Sequence, residues 1–176
     1  SGSTKILKQM NRHYSREQYL QLVTDLRTVA PSLTLTTDVM VGFPGETDED
    51  FQQTLSLMKE VGFLEAFMYY FNPREGTAAV DFPDQLSSSV KMERLQKLIA
   101  LQRSITLNYK KERCVGDVEV LVEQVSKRNK KEYLGRTEHG EMVVFEPVSE
   151  LTMGEFTRVT LHGLAGNTYK ATHNPQ

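Results

Sequence analysis

Lys127, Arg128, Lys130 and Lys131 put four cations into five residues, with Arg136 a few positions on. Such a run holds phosphate, or it is a solvated turn; charge alone allows both. Arg74 sits in Asn72-Pro73-Arg74-Glu75-Gly76-Thr77. Its guanidinium either takes a carboxylate or phosphate bidentately or pairs with Glu75. In Val41-Gly42-Phe43-Pro44-Gly45 the missing Gly42 side chain admits close approach, either of a flat ligand or of the backbone in a tight turn. Glu46 stands where a helix N-terminus attracts a carboxylate, and Asp38 reaches a barrel lumen or a helix cation. Tyr133, Phe145 and Tyr169 are candidates for stacking on bases, although Phe145 beside Val143 reads as core. His13, His139, His162 and His173 lack metal-ligand spacing, so no metal site is expected.

Cys114 is the only cysteine, which excludes an internal disulfide and fits a cytoplasmic protein. Iron-sulfur ligation needs several thiolates at set spacing, so Cys114 reads as a small, half-buried residue. No apolar run approaches the roughly 20 residues that span a bilayer, and the start of the chain shows no secretory signal. The net charge of -2 argues against nucleic-acid binding through bulk positive charge. From residue 115 onward seven Lys and Arg face nine Asp and Glu, so any RNA contact must be a local patch.

These residues need elements to hold them. A helix is expected from Ser15, capped with Gln18, presenting Tyr19, Leu22, Val23, Leu26, Val29 and Ala30 on one face up to Pro31. Leu33–Phe43 reads as a buried strand. Thr47 opens the next helix and Gly62 closes it. Leu64–Phe71 is a second strand, and Ser88–Arg113 a long helix with Met92, Leu95, Leu98, Ile99, Gln102, Ile105 and Tyr109 on its apolar face. After Gly116 only short strand-like segments follow, so a boundary is placed there. The helix and strand order of residues 1–113 suits a piece of a parallel (β/α) barrel, yet two strands cannot close one. An exposed strand edge, with self-association through it, is expected.

The run Thr37-Asp38-Val39-Met40-Val41-Gly42-Phe43-Pro44-Gly45-Glu46-Thr47 resembles the late-barrel motif of radical S-adenosylmethionine enzymes. Ser1-Gly2-Ser3, Met10-Asn11-Arg12 and Tyr14-Ser15-Arg16-Glu17 before it, and Asn72 to Thr77 after it, follow the order seen in the methylthiotransferases of that class. Gly135-Arg136-Thr137-Glu138, Val143-Val144-Phe145 and Gly166-Asn167-Thr168-Tyr169 are similar to the TRAM domain that closes them.

The resemblance implies an α/β plus all-β architecture. Residues 1–113 would be the C-terminal part of a radical-SAM (β/α) barrel, and 115–173 a small antiparallel, OB-like TRAM β-barrel that binds RNA. It implies S-adenosylmethionine near Ser1, Ser3, Val41, Gly42, Phe43, Phe71, Asn72 and Arg74, with RNA at Lys127, Arg128, Lys130, Lys131 and Arg136. It also implies two 4Fe-4S clusters held by upstream domains that this chain lacks, leaving the chain inactive alone. The implied reaction adds a methylthio group to C2 of an isopentenylated adenosine beside the tRNA anticodon. One S-adenosylmethionine gives the methyl group, and another is cleaved reductively to the radical that removes the C2 hydrogen. A ribosomal-protein aspartate or a threonylcarbamoyl-adenosine is the alternative substrate, and a non-catalytic RNA-binding module the alternative class.

Overall fold

Reciprocal caps define the helices of the first part of the chain, in a computed structural model that describes residues 1–174. Ser3 caps α1 (Thr4–Gln9), a six-residue helix that the sequence pattern does not reveal. Ser15 accepts the Gln18 amide and Gln18 accepts the Ser15 amide, opening α2 (Arg16–Val29). Thr47 and Asp50 repeat the arrangement at α3 (Asp48–Val61), which Gly62 ends at φ 63. Between these helices, β1 (Thr36–Val41) and β2 (Glu65–Tyr70) pair in parallel, from Thr36 opposite Glu65 to Val41 opposite Tyr70. A short 3-10 turn, Ala78–Val80, precedes α4 (Ser88–Glu112).

Val39 and Val41 lie in one core with Phe51, Met58, Val61, Phe63 and Leu98. Gln102 joins that layer as a hydrogen-bonding residue: its amide donates to Phe63 O at 2.8 Å, and the Thr106 hydroxyl donates to Leu64 O at 2.8 Å. Two expectations need correction. The strand is buried on one side only, since Thr36, Asp38 and Met40 are exposed. The apolar face foreseen for α2 is also uncovered: Val23 is buried, whereas Leu22 is 54% and Val29 86% exposed. The reason is width, because a two-stranded layer cannot roof a whole helix face.

The chain divides into two compact units at Thr106/Leu107, inside α4, and the β architecture begins at Gly116. In the second unit β3 (Gly116–Val125), β4 (Tyr133–Thr137), β5 (Met142–Glu146), β6 (Phe156–Ala165) and β7 (Thr168–His173) close a barrel in the order β3-β4-β5-β7-β6. Neighbours are antiparallel except β5 and β7, which are parallel, so the barrel departs from the wholly antiparallel expectation. Val120, Val122, Val143, Val159, Phe145 and Tyr169 fill it. His173 pins its seam: Nδ1 accepts the Val148 amide at 3.0 Å, and Nε2 bonds the Thr157 hydroxyl at 2.8 Å.

Candidate functional site

The turn after β1 is built around Gly42, at φ 72. Its amide donates to Glu46 Oε2 at 2.6 Å, and that buried carboxylate also takes Arg94 Nη1 at 2.7 Å. Arg94 reaches Asp48 at 2.7 Å through Nη2, so the guanidinium bridges the start of α3 to α4. Burial pushes the Glu46 pKa up, against the Gly42 amide and Arg94, which favour its ionised form. Glu46 Oε1 has no partner among the described residues. Beside this turn Ser3 donates to Asp50 at 2.7 Å, while Lys5 bonds Asp50 at 2.9 Å and Gly45 O at 3.1 Å. Burial opposes ionisation of Asp50, but the hydrogen bonds from Ser3, Thr47 and Lys5 outweigh it and hold the pKa at about 2. Ser1-Gly2-Ser3 is therefore anchored, with the Gly2 amide donating to Thr54 Oγ1 at 2.9 Å.

A cleft of about 910 Å³ opens at the C-terminal ends of β1 and β2. Of the residues foreseen for a cofactor, Ser1, Phe43, Phe71, Asn72 and Arg74 line it. Phe43 and Phe71 meet edge to face at 5.1 Å. Val41, Gly42 and Ser3 do not line it. Val41 is fully buried in the core beneath the helices, and the Ser3 hydroxyl is committed to Asp50 and to the α1 cap. Asp38 borders the cleft from the uncovered side of β1. Arg74 is exposed and makes no ion pair among the described residues; Thr77 bonds its carbonyl.

Phe82 also lines the cleft, a residue that a reading of the sequence alone does not mark. Phe82 packs edge-on to Phe43 at 6.0 Å in a loop that Gln85 gathers by bonding the Ala79, Val80 and Phe82 carbonyls. Its only signal is an apolar residue in a Pro-flanked loop. An aromatic cleft with a few polar groups, at the carboxyl ends of parallel strands, suits an adenosyl ligand. The chain's donor set does not suit an iron-sulfur cluster: its one thiol, Cys114, packs against the second unit's core, where burial raises its pKa.

In the second unit Lys127, Arg128, Lys130 and Lys131 lie in the β3–β4 loop. The loop is closed by Ser126 N to Glu132 O at 2.7 Å and shaped by Asn129, whose side chain accepts the Lys131 amide at 3.1 Å. Arg136 is held apart from that run: Glu123 takes its Nε at 2.6 Å and Nη2 at 3.2 Å, and Gly140 O takes Nη1 at 2.8 Å. Phe145 and Tyr169 are interior, and Tyr133 packs against the same core.

Comparison with known proteins accounts for both units. Residues 1–58 match the model of the Radical SAM superfamily, and residues 112–172 match that of the TRAM domain. The chain thus carries a radical-SAM segment continued by a TRAM domain. A relative from Treponema pallidum (strain Nichols), named tRNA-2-methylthio-N(6)-dimethylallyladenosine synthase, is 48% identical over 171 residues, 97% of this chain and 38% of its own length. Relatives of the same name from Methylacidiphilum infernorum and Moorella thermoacetica are 47% and 48% identical over 98% and 92% of the chain. The chain spans about 36 to 38% of the length of these relatives.

Proposed function

We propose that this chain is the C-terminal part of a tRNA methylthiotransferase that modifies C2 of an N6-isopentenylated adenosine beside the anticodon. The observation that carries this reading is the pairing of an aromatic cleft at the ends of parallel strands with a TRAM barrel, at 48% identity to a relative named for that modification. Residues 1–113 form part of the catalytic barrel and 115–173 the RNA-holding domain.

Phe43, Phe71, Asn72 and Arg74, with Ser1, are the side chains of this chain that would hold S-adenosylmethionine. That cofactor supplies the methyl group and, after reductive cleavage, the radical. The buried Phe43–Phe71 pair forms the apolar wall behind the site, Asn72 offers its amide, and Arg74 a fork for an anion. Gly42 and Glu46 brace the turn that presents Phe43. The clusters belong to upstream domains of the same polypeptide, so the chain alone is inactive. Lys127, Arg128, Lys130 and Lys131 hold the phosphates of the anticodon stem-loop, and the setting is the cytoplasm. No helix among the described residues is long and apolar enough to cross a membrane.

The test uses the full-length protein, reconstituted with iron and sulfide and given S-adenosylmethionine, a reductant and an isopentenylated anticodon stem-loop. Replacement of one hydrogen by a methylthio group, read by nucleoside mass spectrometry, is expected. Modification only of threonylcarbamoylated RNA or of a protein aspartate would overturn the substrate.

A further inference from the structure

The aromatic residues that sequence marks for base stacking are turned into the barrel or packed on its core. Phe156, at the start of β6 and unmarked by the sequence, faces outward instead. It is 67% exposed, the most exposed aromatic ring of the second unit among the described residues. Phe156 stands opposite Leu121 of β3, Leu121 opposite Arg136 of β4, and Arg136 opposite Met142 of β5. Val120 and Val122, on either side of Leu121, are fully buried, so strand alternation turns Leu121 and its cross-strand partners outward. At a strand spacing of about 4.8 Å, this sets a ring, an isobutyl group, a guanidinium and a thioether in one row roughly 15 Å long.

Arg136 is not a loose cation in that row. Its three hydrogen bonds to Glu123 and Gly140 fix the guanidinium in place, and Glu123 offsets much of its charge. Phosphate attraction therefore falls to Lys127, Arg128, Lys130 and Lys131, at the tip of the same β3–β4 hairpin. A flat ring flanked by apolar groups on a sheet face, with a cationic loop at its end, has the layout of a surface for unpaired nucleotides: backbone toward the cations, a base on the ring. Glu119 and Arg158 face each other in a neighbouring row and leave the Phe156 row bordered by charges of both signs.

We infer that Phe156 stacks on an unpaired base of the bound RNA, and that Phe156, Leu121, Arg136 and Met142 form the track along which the single-stranded loop lies. The inference rests on the RNA reading of this unit and adds the site and the class of ligand, unpaired bases as distinct from duplex.

The experiment measures binding of the chain, by fluorescence anisotropy over several salt concentrations, to an anticodon stem-loop and to a fully paired duplex. Phe156→Ala is expected to weaken stem-loop binding by about tenfold, the scale of one lost stacking contact. The slope of log K against log salt should stay unchanged, and so should duplex binding. Phe156→Trp should retain affinity, and Phe156→Leu should not restore it. Changing Lys127, Arg128, Lys130 and Lys131 to alanine should flatten the salt slope instead. Equal thermal melts of the Phe156 variants and the parent chain establish that folding is intact. Unchanged stem-loop affinity in Phe156→Ala, or full affinity in Phe156→Leu, overturns the stacking role while leaving the RNA reading in place. If the unmutated chain binds neither RNA, the RNA reading falls and the stacking site with it.

Discussion

The Cγ of Lys91 occupies the place that a side chain on Gly42 would need, 2.7 Å from the position of its Cβ. Glycine at 42 thus serves the passage of a lysine stem as well as a φ of 72, and the lysine ends with Nζ 5.1 Å from the centre of the Phe71 ring. Gly42→Ala should destabilise the first unit by at least about 2 kcal/mol, part backbone strain and part collision. In denaturant titrations, adding Lys91→Ala should recover the collision part and leave about 1 kcal/mol. Strictly additive losses would show that the two residues do not share this space.

Breaking the Glu46–Arg94 pair should cost more than any surface bridge of the chain, because both side chains are buried. Arg94→Met leaves the buried Glu46 carboxyl without its cation, so a loss of about 3 kcal/mol is expected at neutral pH. The loss should shrink in acid, where Glu46 can take a proton. A pH-independent effect would point to lost packing instead.

Asp50 ties acid stability to the segment that starts the chain. Its folded pKa of about 2 lies below the ordinary 3.8, so its contribution is complete above 3.8 and disappears as pH falls toward 2. On the order of 2 kcal/mol should be lost across that window. Asp50→Asn should remove this slope from urea melts of the first unit. An unaltered slope would assign it to other carboxylates.

His173 should give the barrel the same direction of sensitivity at higher pH. Burial lowers its pKa below 6.5, with Glu155 pulling the other way, so the unfolded chain binds the proton more readily. Barrel stability should be full above pH 6.5 and fall below it, as protonation removes the Nδ1 acceptor from Val148. Thermal melts from pH 8 to 5 should show this in the parent chain and not in His173→Gln; matching profiles would exclude His173.

Among the described residues the strands β1 and β2 pair only with each other, and Phe67, Tyr69 and Met40 are exposed on them. Self-association of the chain through this sheet is expected, with concentration-dependent sedimentation. Met40→Lys with Tyr69→Lys should abolish it. Monomeric sedimentation of the parent chain at all concentrations would exclude it.

What is legible in the sequence is local chemistry. Ser15, Thr47 and Gly62 announce helix ends because their partners lie within four residues, and the structure places them there. Period two groups Val39 with Val41, but it does not say which side of the sheet meets helices, so Val41 belongs to the core and Asp38 borders the cleft. Gly42 looks like an opening for a ligand because the lysine filling that opening comes from α4, far along the chain. Phe156 carries no signal of its own, since its exposure depends on strand pairings that no short pattern encodes. Phe145 reads correctly as core from its neighbour Val143.

Strand β7 comes last among the barrel strands in sequence, yet in space it lies between β5 and β6. During synthesis the first four barrel strands can emerge from the ribosome and still leave β5 and β6 without the neighbour each needs. The cylinder cannot shut until Thr168–His173 is free of the exit tunnel. Its assembly is therefore a late event, set by the arrival of β7 and not by that of any earlier hairpin.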